Sequence, residues 1–274
     1  MVISFPWNDS GKFLIGFPTM ASKQKALSFS RPPVLEALID IRIEPLPIES
    51  LPVLENLHEK FSHNYPGKKT RYQWEADIKL SENELIASPK TQGPFGYRFE
   101  SINRERLIQV RRDGFTLNQL KPDPNEKWPG WDILREEAKK GWNLFLEAFP
   151  APKVTRIGIR YINQIVIPGE PVNLDEYLTA GPKIPSGLPQ TLENFFNRVE
   201  FMNSEPGAKV LITQALSPKP WQGKVTITLD IDIFRENPKD MDDKSLWQTL
   251  DQFRILKNKI FLQSIKKKTK DLFK

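Results

Sequence analysis

Two carboxylates stand at alternating positions of one strand-like segment, and their spacing suits metal chemistry. Asp230 and Asp232 lie two residues apart in TLDIDIF, so on a strand both side chains would point to the same face. Such a pair can hold Mg²⁺ and neutralise phosphate in a phosphoryl-transfer site. The alternating Leu229, Ile231 and Ile233 explain the same pattern as the solvated face of a half-buried strand. The sequence leaves both interpretations open.

Three arginines occupy similar alternating positions in two other segments. Arg42 follows Asp40 in DIRIEP, and Arg156 and Arg160 flank Gly158 in TRIGIRYIN. Isoleucines occupy intervening positions in each segment, so the charged side chains would share the opposite face of a sheet. If these segments and the aspartate-bearing strand are neighbours, one polar face collects all of the charges. Gly158 would leave open space on that face.

Three explanations fit such a face: cross-strand salt bridges on a wet sheet, an interface between halves or protomers, and a concave pocket for a small anionic ligand. Planar guanidinium groups suit carboxylates and phosphates because they donate two parallel hydrogen bonds. The ligand-binding prediction names Arg42, Arg156, Arg160 and Asp40. Pairing of the arginines with nearby aspartates would account for them without a ligand.

Other catalytic motifs are missing from the chain. His58 and His63, in HEKFSH, lie five residues apart, which turns them roughly 140° around a helix and prevents the joint chelation of an HExxH zinc site. The chain has no cysteine, which excludes disulfides, thiolate zinc sites and thiol nucleophiles. Gly-rich phosphate loops and the G-x-S-x-G elbow are absent too. We expect no cofactor and favour a non-enzymatic protein, with a Mg²⁺-dependent phosphoryl-transfer enzyme as the alternative.

A modest positive charge raises a further alternative, nucleic-acid binding. The net charge is +6, and five of the last nine residues are lysine. The candidate contacts are Arg111, Arg112, Lys266, Lys267 and Lys268, with Trp128, Trp131 and Trp221 as exposed aromatic candidates. The same lysines would also complement the carbonyl end of a preceding helix and keep a chain terminus in water.

The first half of the chain mixes strand and helix patterns. EALIDIRIEPLP predicts a half-buried strand with its isoleucines on the buried face. IESLPVLENLHEKFSHNY predicts an amphipathic helix capped by Ser50. RYQWEADIKL and residues 96–120 predict further strands, with breaks at Asn103-Arg104 and at the hairpin dipeptide Asp113-Gly114. GWDILREEAKKGWNLFLEAFP predicts a long helix.

The second half starts again with a strand, VTRIGIRYINQIVIP, whose Ile157, Ile159 and Tyr161 would be buried. VNLDEYL and LENFFNRVEFM predict helical turns. AKVLITQALS and KVTITLDIDIF predict a hairpin. SLWQTLDQFRILKNKIFLQSI predicts a closing helix capped by Ser245.

The two halves resemble each other in their order of elements. Residues 34–150 and 154–265 each run strand, helix, strands, helix, and Ile41-Arg42 of the first leading strand matches Ile159-Arg160 of the second. We predict an α+β fold with an antiparallel-rich sheet or sheets, helices packed on one face, and an internal duplication. In a duplication, these two arginines would be equivalent and would project into a shared polar cleft.

The predicted organisation has three parts: a partly disordered N-terminal extension over residues 1–29, a first α+β half over 30–152, and a second half over 153–274 that ends in a basic helix or tail. Residues 1–19 lack the basic and apolar regions of a signal peptide, so we interpret them as an extension or a misassigned start. No run is long and apolar enough for a transmembrane segment, and the absence of cysteine fits a reducing interior. We expect a cytoplasmic protein without membrane contact.

Four segments, in order RPPVLEALIDIRIEPLP, ERLIQVRRDGFTLNQL, RIGIRYINQIVIP and LDIDIFRE, are followed by a helix around LKNKIFLQSI. In this order they resemble a sporadically distributed, uncharacterised prokaryotic protein family of similar length, over roughly residues 30 to 273. That family has no established activity, so the resemblance implies no catalytic residues. Its patchy distribution implies horizontally transferred genes, including defence or mobile-element neighbourhoods.

Well-patterned structural elements without a catalytic constellation favour a binding or regulatory protein. The partner would be another protein or a small anionic ligand, and a homo-oligomer is left open.

Overall fold

The computed structural model describes residues 29–80, 85–123, 126–169, 172–190, 192–217, 224–238 and 241–274. Of residues 73–80 and 85–92, the description covers only the strands that they form. The strands are β1 (Val34–Ile43), β2 (Gly67–Leu80), β3 (Leu85–Glu100), β4 (Arg106–Arg111), β5 (Gly114–Leu120), β6 (Val154–Pro168), β7 (Phe196–Asn203), β8 (Ala208–Leu216) and β9 (Lys224–Glu236). The helices are α1 (Leu51–Phe61), α2 (Gly130–Ala148), α3 (Asp243–Ser264) and α4 (Lys267–Asp271), with short 3-10 helices at Ile48–Ser50 and Leu174–Glu176.

All of these strands join one antiparallel sheet in the order β2-β3-β4-β5-β1-β6-β9-β8-β7. The pairing of β1 with β6 joins the two halves of the chain. Going outward from β1 the strands are β5, β4, β3 and β2, and going outward from β6 they are β9, β8 and β7. The predicted α+β class with an antiparallel-rich sheet is therefore confirmed. The first half contributes five strands and the second four, and in the described part of the second half a 3-10 helix, Leu174–Glu176, follows the leading strand where α1 follows β1 in the first. Duplication therefore stays a prediction.

The core lies between the sheet and the helices on one of its faces. In β1 the predicted alternation holds, since Ile39, Ile41 and Ile43 are buried. Ile39 and Ile41 lie opposite Ile159 and Ile157 of β6. Helix α1 packs on β3, α2 on β5, and α3 on β6 and β9. Burial of these apolar faces, at about 25 cal/mol per Å² of apolar surface, stabilises the layered arrangement.

The helix boundaries correct two predicted caps. Ser50 precedes α1 without capping it, because its hydroxyl donates to the carbonyl of Pro47. Helix α3 begins earlier than predicted, and its N-cap is Asp242, whose carboxylate accepts from the backbone N–H of Ser245. The predicted cap Ser245 therefore lies inside the first turn.

The predicted helical turn in LENFFNRVEFM is wrong. Phe196–Asn203 forms β7, an edge strand that pairs with β8. The apolar residues of this segment fit neither the period of a helix nor the strict alternation of a strand. The sheet decides the outcome, because β8 presents free backbone groups that β7 satisfies. The other predicted turn, in VNLDEYL, contains the 3-10 helix Leu174–Glu176.

The predicted N-terminal extension lies almost entirely outside the described residues, which begin at Phe29. At the other end, the lysine-rich segment forms α4, and Phe273 is buried against Phe29 and Phe261. None of the described helices has the length and apolar composition needed to cross a membrane.

A half-buried lysine on α3 yields a prediction about pH. The ammonium of Lys257 lies 4.0 Å from the centroid of the Tyr161 ring. Burial of the ammonium, together with the charge of Arg254, lowers the pKa of Lys257 from 10.5 to about 7. Between these two pH values the unfolded chain binds a proton that the folded chain has released, so the free energy of unfolding rises with pH across this window.

We expect Lys257→Met to stabilise the protein at pH 6, by about 2 kcal/mol or more, because the charged form is then the one that must be buried. The gain should shrink as pH rises from 7 towards 10.5. Urea unfolding of both proteins across this range measures it, with Lys259→Met, an exposed lysine of the same helix, as the matched control. A gain that does not vary with pH would contradict the prediction.

Candidate functional site

The face of the sheet opposite the helices carries a row of residues in which three polar side chains are followed by a glycine and a phenylalanine. The strand registers place Gln109, Thr116, Asp40, Gly158 and Phe234 directly opposite one another across β4, β5, β1, β6 and β9. Paired residues of adjacent strands point to the same face. The sequence-based expectation that the three charged strands are neighbours is therefore confirmed.

Asp40 is the centre of this face. Its buried carboxylate accepts hydrogen bonds from Arg156 Nη1 at 2.7 Å and Arg42 Nε at 3.0 Å on one oxygen. The other oxygen accepts from Thr116 Oγ1 at 2.7 Å and Arg111 Nη2 at 3.1 Å. Three strands, β1, β4 and β6, thus direct an arginine to one carboxylate.

The charges around Asp40 decide its ionisation. Burial by itself raises the pKa of Asp40, but the positive charges of Arg111, Arg156 and Arg42 and the hydrogen bond from Thr116 outweigh it, so the pKa lies below its ordinary value. Arg111 shows the reciprocal effect. Burial lowers the pKa of Arg111, but Asp40 and Asp113 raise it by more, so the pKa lies above its ordinary value. Both groups are therefore charged at neutral pH.

Arg156 corrects the expectation of open space at Gly158. Its guanidinium bridges Asp40 and Asp232, with Nη2 at 3.1 and 3.0 Å from the two oxygens of Asp232. It also lies 4.2 Å from the centroid of the Phe234 ring. A Cβ at position 158 would lie 2.8 Å from Phe234 Cβ and 3.2 Å from Arg156 Nη1. The glycine is needed because these two side chains fill the space above it.

Arg160 makes a bidentate pair with Asp230, through Nε to Oδ1 at 2.9 Å and Nη2 to Oδ2 at 2.6 Å. Its side chain is 44% exposed. Burial raises the pKa of Asp232, and Arg156 and Arg160 only partly offset this, so the pKa stays above its ordinary value. The two predicted metal candidates are thus each bound by a different arginine.

A cavity of about 440 Å³ opens over this network. Five arginines and three aspartates contribute to its lining. They are Arg42, Arg71, Arg111, Arg156 and Arg160, with Asp40, Asp113 and Asp232. Two aromatic residues, Tyr72 and Phe95, complete one side, and Tyr72 is 50% exposed. The cavity therefore combines an excess of positive charge with planar apolar surface.

Arg71 is the charged side chain of the cavity that the sequence analysis missed together with Asp113, and the polar Gln109 and Thr116 and the aromatic Tyr72 and Phe95 were missed as well. Arg71 lies in β2, opposite Gly96 of β3, where the register of the two strands shifts between Arg71 and Tyr72. The irregularity lets both consecutive residues line the cavity, which strict alternation would forbid. Burial and the charges of Arg111 and Arg98 lower the pKa of Arg71, with Asp113 acting in the opposite sense. Its surroundings are thus positively charged.

Gln109 contributes an unused acceptor to the same lining. Its Nε2 donates to Asn118 Oδ1 at 2.6 Å, while its buried Oε1 has no hydrogen-bond partner within the described part of the chain. A buried acceptor without a partner is costly. A ligand donor in the cavity would satisfy it.

A larger cavity, of about 1000 Å³, lies beside α1 and α2. Its central polar groups already satisfy each other, since the hydroxyl of Tyr65 and Arg106 Nη1 both donate to Glu137. Three basic side chains there face three carboxylates. Without a charge excess, this cavity makes a weaker candidate than the polar face.

The metal candidates do not form a cluster. Among the residues that the structure describes, no group of three or more His, Asp or Glu side chains could hold a metal ion. Glu44, the carboxylate that follows β1, pairs with Lys153. A cation at Asp230 and Asp232 would have to displace Arg160 and Arg156.

The nucleic-acid candidates are dispersed. Arg111 is buried in the Asp40 network, and Arg112 Nε donates to the carbonyl of Leu46 at 2.7 Å. Lys266 donates to the carbonyl of Asp175, Lys268 pairs with Glu176, and Lys267 is exposed.

The aromatic candidates for nucleic-acid stacking do not form an exposed set either. Trp131 is buried and donates to Asp251 Oδ1 at 2.8 Å, so its predicted exposure is wrong. Trp128 is half-buried against the core, and Trp221 lies outside the described residues.

No model of a known protein family matches the chain, and no curated protein matches it either. The resemblance to a sporadically distributed prokaryotic family therefore stays a prediction.

We expect Asp40→Asn to destabilise the protein by about 3 to 5 kcal/mol at pH 7, because three arginines lose their shared buried counter-charge. The pKa of Asp40 is lowered on folding, so its stabilisation is complete above the ordinary value of 3.8 and is lost as pH falls below it. The difference between the two proteins should therefore narrow in acid. Urea unfolding at several pH values measures it. Asp230→Asn, which breaks a pair with a half-exposed arginine, should cost less than about 1 kcal/mol; equal losses would contradict the central role of Asp40.

We expect Gly158→Ala to destabilise the protein by about 1 to 3 kcal/mol, because the added Cβ collides with Phe234 and displaces Arg156. Thermal unfolding measures the loss. Gly181→Ala is the control, since its added Cβ meets only ordinary contacts at 3.7 Å and beyond. If both variants have the melting temperature of the wild type, the packing described above is incorrect.

Proposed function

We propose that this protein is a non-enzymatic binding protein that holds a small anionic ligand on the polar face of its sheet. One observation carries the proposal: five arginines line a single cavity of about 440 Å³, against three aspartates in its lining and Asp230 paired with Arg160 beside it, which leaves one positive charge in excess. Cavities of about 300 to 1,000 Å³ suit small molecules. An anion in this cavity would balance the excess charge.

The arginines divide into fixed and available groups. Arg111 and Arg156 use their terminal nitrogens on aspartates and Thr116, so they belong to the framework. Arg42 contacts Asp40 through Nε, and its side chain is 50% exposed. Arg160 is partly exposed and uses Nε and Nη2 on Asp230, so only Nη1 is left for a ligand, whereas Arg71 makes no ion pair within 4 Å among the described residues. These three would contact the ligand.

The available groups indicate the class of ligand. Guanidinium groups recognise carboxylate and phosphate oxygens through charged hydrogen bonds. The exposed ring of Tyr72 offers a surface for a planar portion of the ligand, and Oε1 of Gln109 offers an acceptor for a hydroxyl or amine. A small phosphate or carboxylate compound with a ring and a hydrogen-bond donor matches this set.

Binding is favoured over catalysis by the state of the carboxylates. Asp40, Asp230 and Asp232 each accept hydrogen bonds from arginines, so none is available as a general base or metal ligand without breaking the network. The Mg²⁺-dependent alternative would require that rearrangement. Pairing of the arginines explains the framework without a ligand, and the charge excess, rather than the pairs themselves, supports one.

We expect polyvalent anions to raise the melting temperature of the full-length chain, with pyrophosphate, citrate and ATP as the first probes. Arg71→Gln and Arg160→Gln should each weaken binding by at least about tenfold, since a charged hydrogen bond contributes about 1.5 to 3 kcal/mol. Calorimetric titration of the best probe measures this. Arg104→Gln, at an exposed position outside the cavity, should bind like the wild type.

Two results would contradict the proposal. One is that no anion in the panel stabilises the wild type more than the Arg71→Gln variant. The other is hydrolysis of pyrophosphate or ATP in the presence of Mg²⁺ that is lost on Asp232→Ala, because it would establish the enzymatic alternative.

A further inference from the structure

Strand β7 exposes an unusual concentration of apolar side chains at the edge of the sheet. The most exposed are Phe196 at 71% and Met202 at 69%, and Val199 and Phe201 are exposed as well. β7 is the last strand of the sheet, so one side of its backbone has no neighbouring strand among the residues that the structure describes. A free apolar edge promotes association with other strands.

The hydrogen-bonding pattern identifies the residues that face this free edge. The carbonyl of Phe195 accepts from the backbone N–H of Leu216, next to the pairing of β7 with β8. Backbone groups of alternate residues in an antiparallel strand point to alternate sides, so odd-numbered residues bond to β8. The outward-facing residues are Phe196, Arg198, Glu200 and Met202. Within the described part of the chain, their outward backbone groups have no backbone partner.

The sequence of β7 is complementary to itself in antiparallel orientation. We infer that β7 pairs with β7 of a second copy of this chain, with Val199 of both copies on the twofold axis. Arg198 then lies opposite Glu200 of the other copy, and Phe196 lies opposite Met202. Opposite charges and paired apolar side chains at such positions stabilise a sheet. About eight backbone hydrogen bonds would close the edge.

Other registers are disfavoured because they bring like charges together or misalign the backbone hydrogen-bonding groups. A shift of two residues in either direction places Arg198 opposite itself or Glu200 opposite itself, which juxtaposes like charges. A shift of one residue brings outward-facing groups against groups already bonded to β8. The register centred on Val199 avoids both problems.

The opposite edge of the sheet supports the choice of β7. The described side chains of β2 include Lys68, Lys69 and Arg71, and charged residues of one sign discourage pairing between identical edges. A dimer through β7 would continue the sheet across the axis and leave each polar cavity open. The inference is therefore independent of the proposed ligand.

A single cysteine tests the register directly, since the chain has none of its own. The Val199 residues of the two copies would face each other as a pair without backbone hydrogen bonds between them. Such non-hydrogen-bonded pairs in an antiparallel sheet have Cα atoms about 4.5 Å apart, within the range of a disulfide. We expect Val199→Cys to form a covalent dimer rapidly under mild oxidation. Ile255→Cys, at an exposed position on α3, is the control and should cross-link much more slowly. Equal rates would overturn the register.

Charge reversal tests the same pairing without cross-linking. In sedimentation experiments on the full-length chain, Arg198→Glu and Glu200→Arg should each weaken dimerisation by at least about tenfold. The double variant Arg198→Glu/Glu200→Arg should restore it, because the opposite charges again face each other. A wild type that stays monomeric at high concentration, or a dimer that ignores all three variants, would overturn the inference. Circular dichroism and melting temperature verify that each variant is folded.

Discussion

The buried carboxylate of Asp40 is the constraint on which the polar face depends. A charge removed from water is costly unless it is paired and fully hydrogen-bonded. Arg42, Arg111 and Arg156, with Thr116, meet that requirement from β1, β4, β6 and β5. The side chains are long enough to converge only when these strands are neighbours in the observed register. The network thus ties the two halves of the chain together on the face opposite the hydrophobic core.

The same network shapes the cavity above it. Arg156 can reach both Asp40 and Asp232 because Gly158 has no side chain, and Phe234 supports the guanidinium from the adjacent strand. The aspartates neutralise the inner arginines, and Asp230 neutralises Arg160, so one positive charge remains among the outer guanidinium groups. Arg71 adds to it from β2, where an irregular register turns two consecutive residues towards the cavity. A rigid inner layer with partly exposed guanidinium groups above it is a preorganised surface for an anion.

The two edges of the sheet have different properties. The described part of β2 is rich in positive charge, whereas β7 carries exposed apolar residues on either side of, and between, one arginine and one glutamate. Backbone groups at a sheet edge accept any strand that can reach them, so side chains decide whether association occurs and with which partner. In this protein, the ligand cavity and the apolar edge lie on separate strands. Binding and association can therefore be tested separately.

The alternation of isoleucine with charged residues determined which residues of β1, β6 and β9 are buried and which share the polar face, because side-chain direction in a strand has a period of two. It could not determine which side chains meet across strands. Arg111, predicted among nucleic-acid contacts, joins Asp40 through the pairing of β4, β5 and β1, and Arg71 enters through a local irregularity that breaks the period. β7 was predicted to be helical because its own pattern is weak, and only its pairing with β8 makes it a strand. Local periodicity records the environment of each residue, whereas partners depend on strand order and register, which long-range backbone pairing decides.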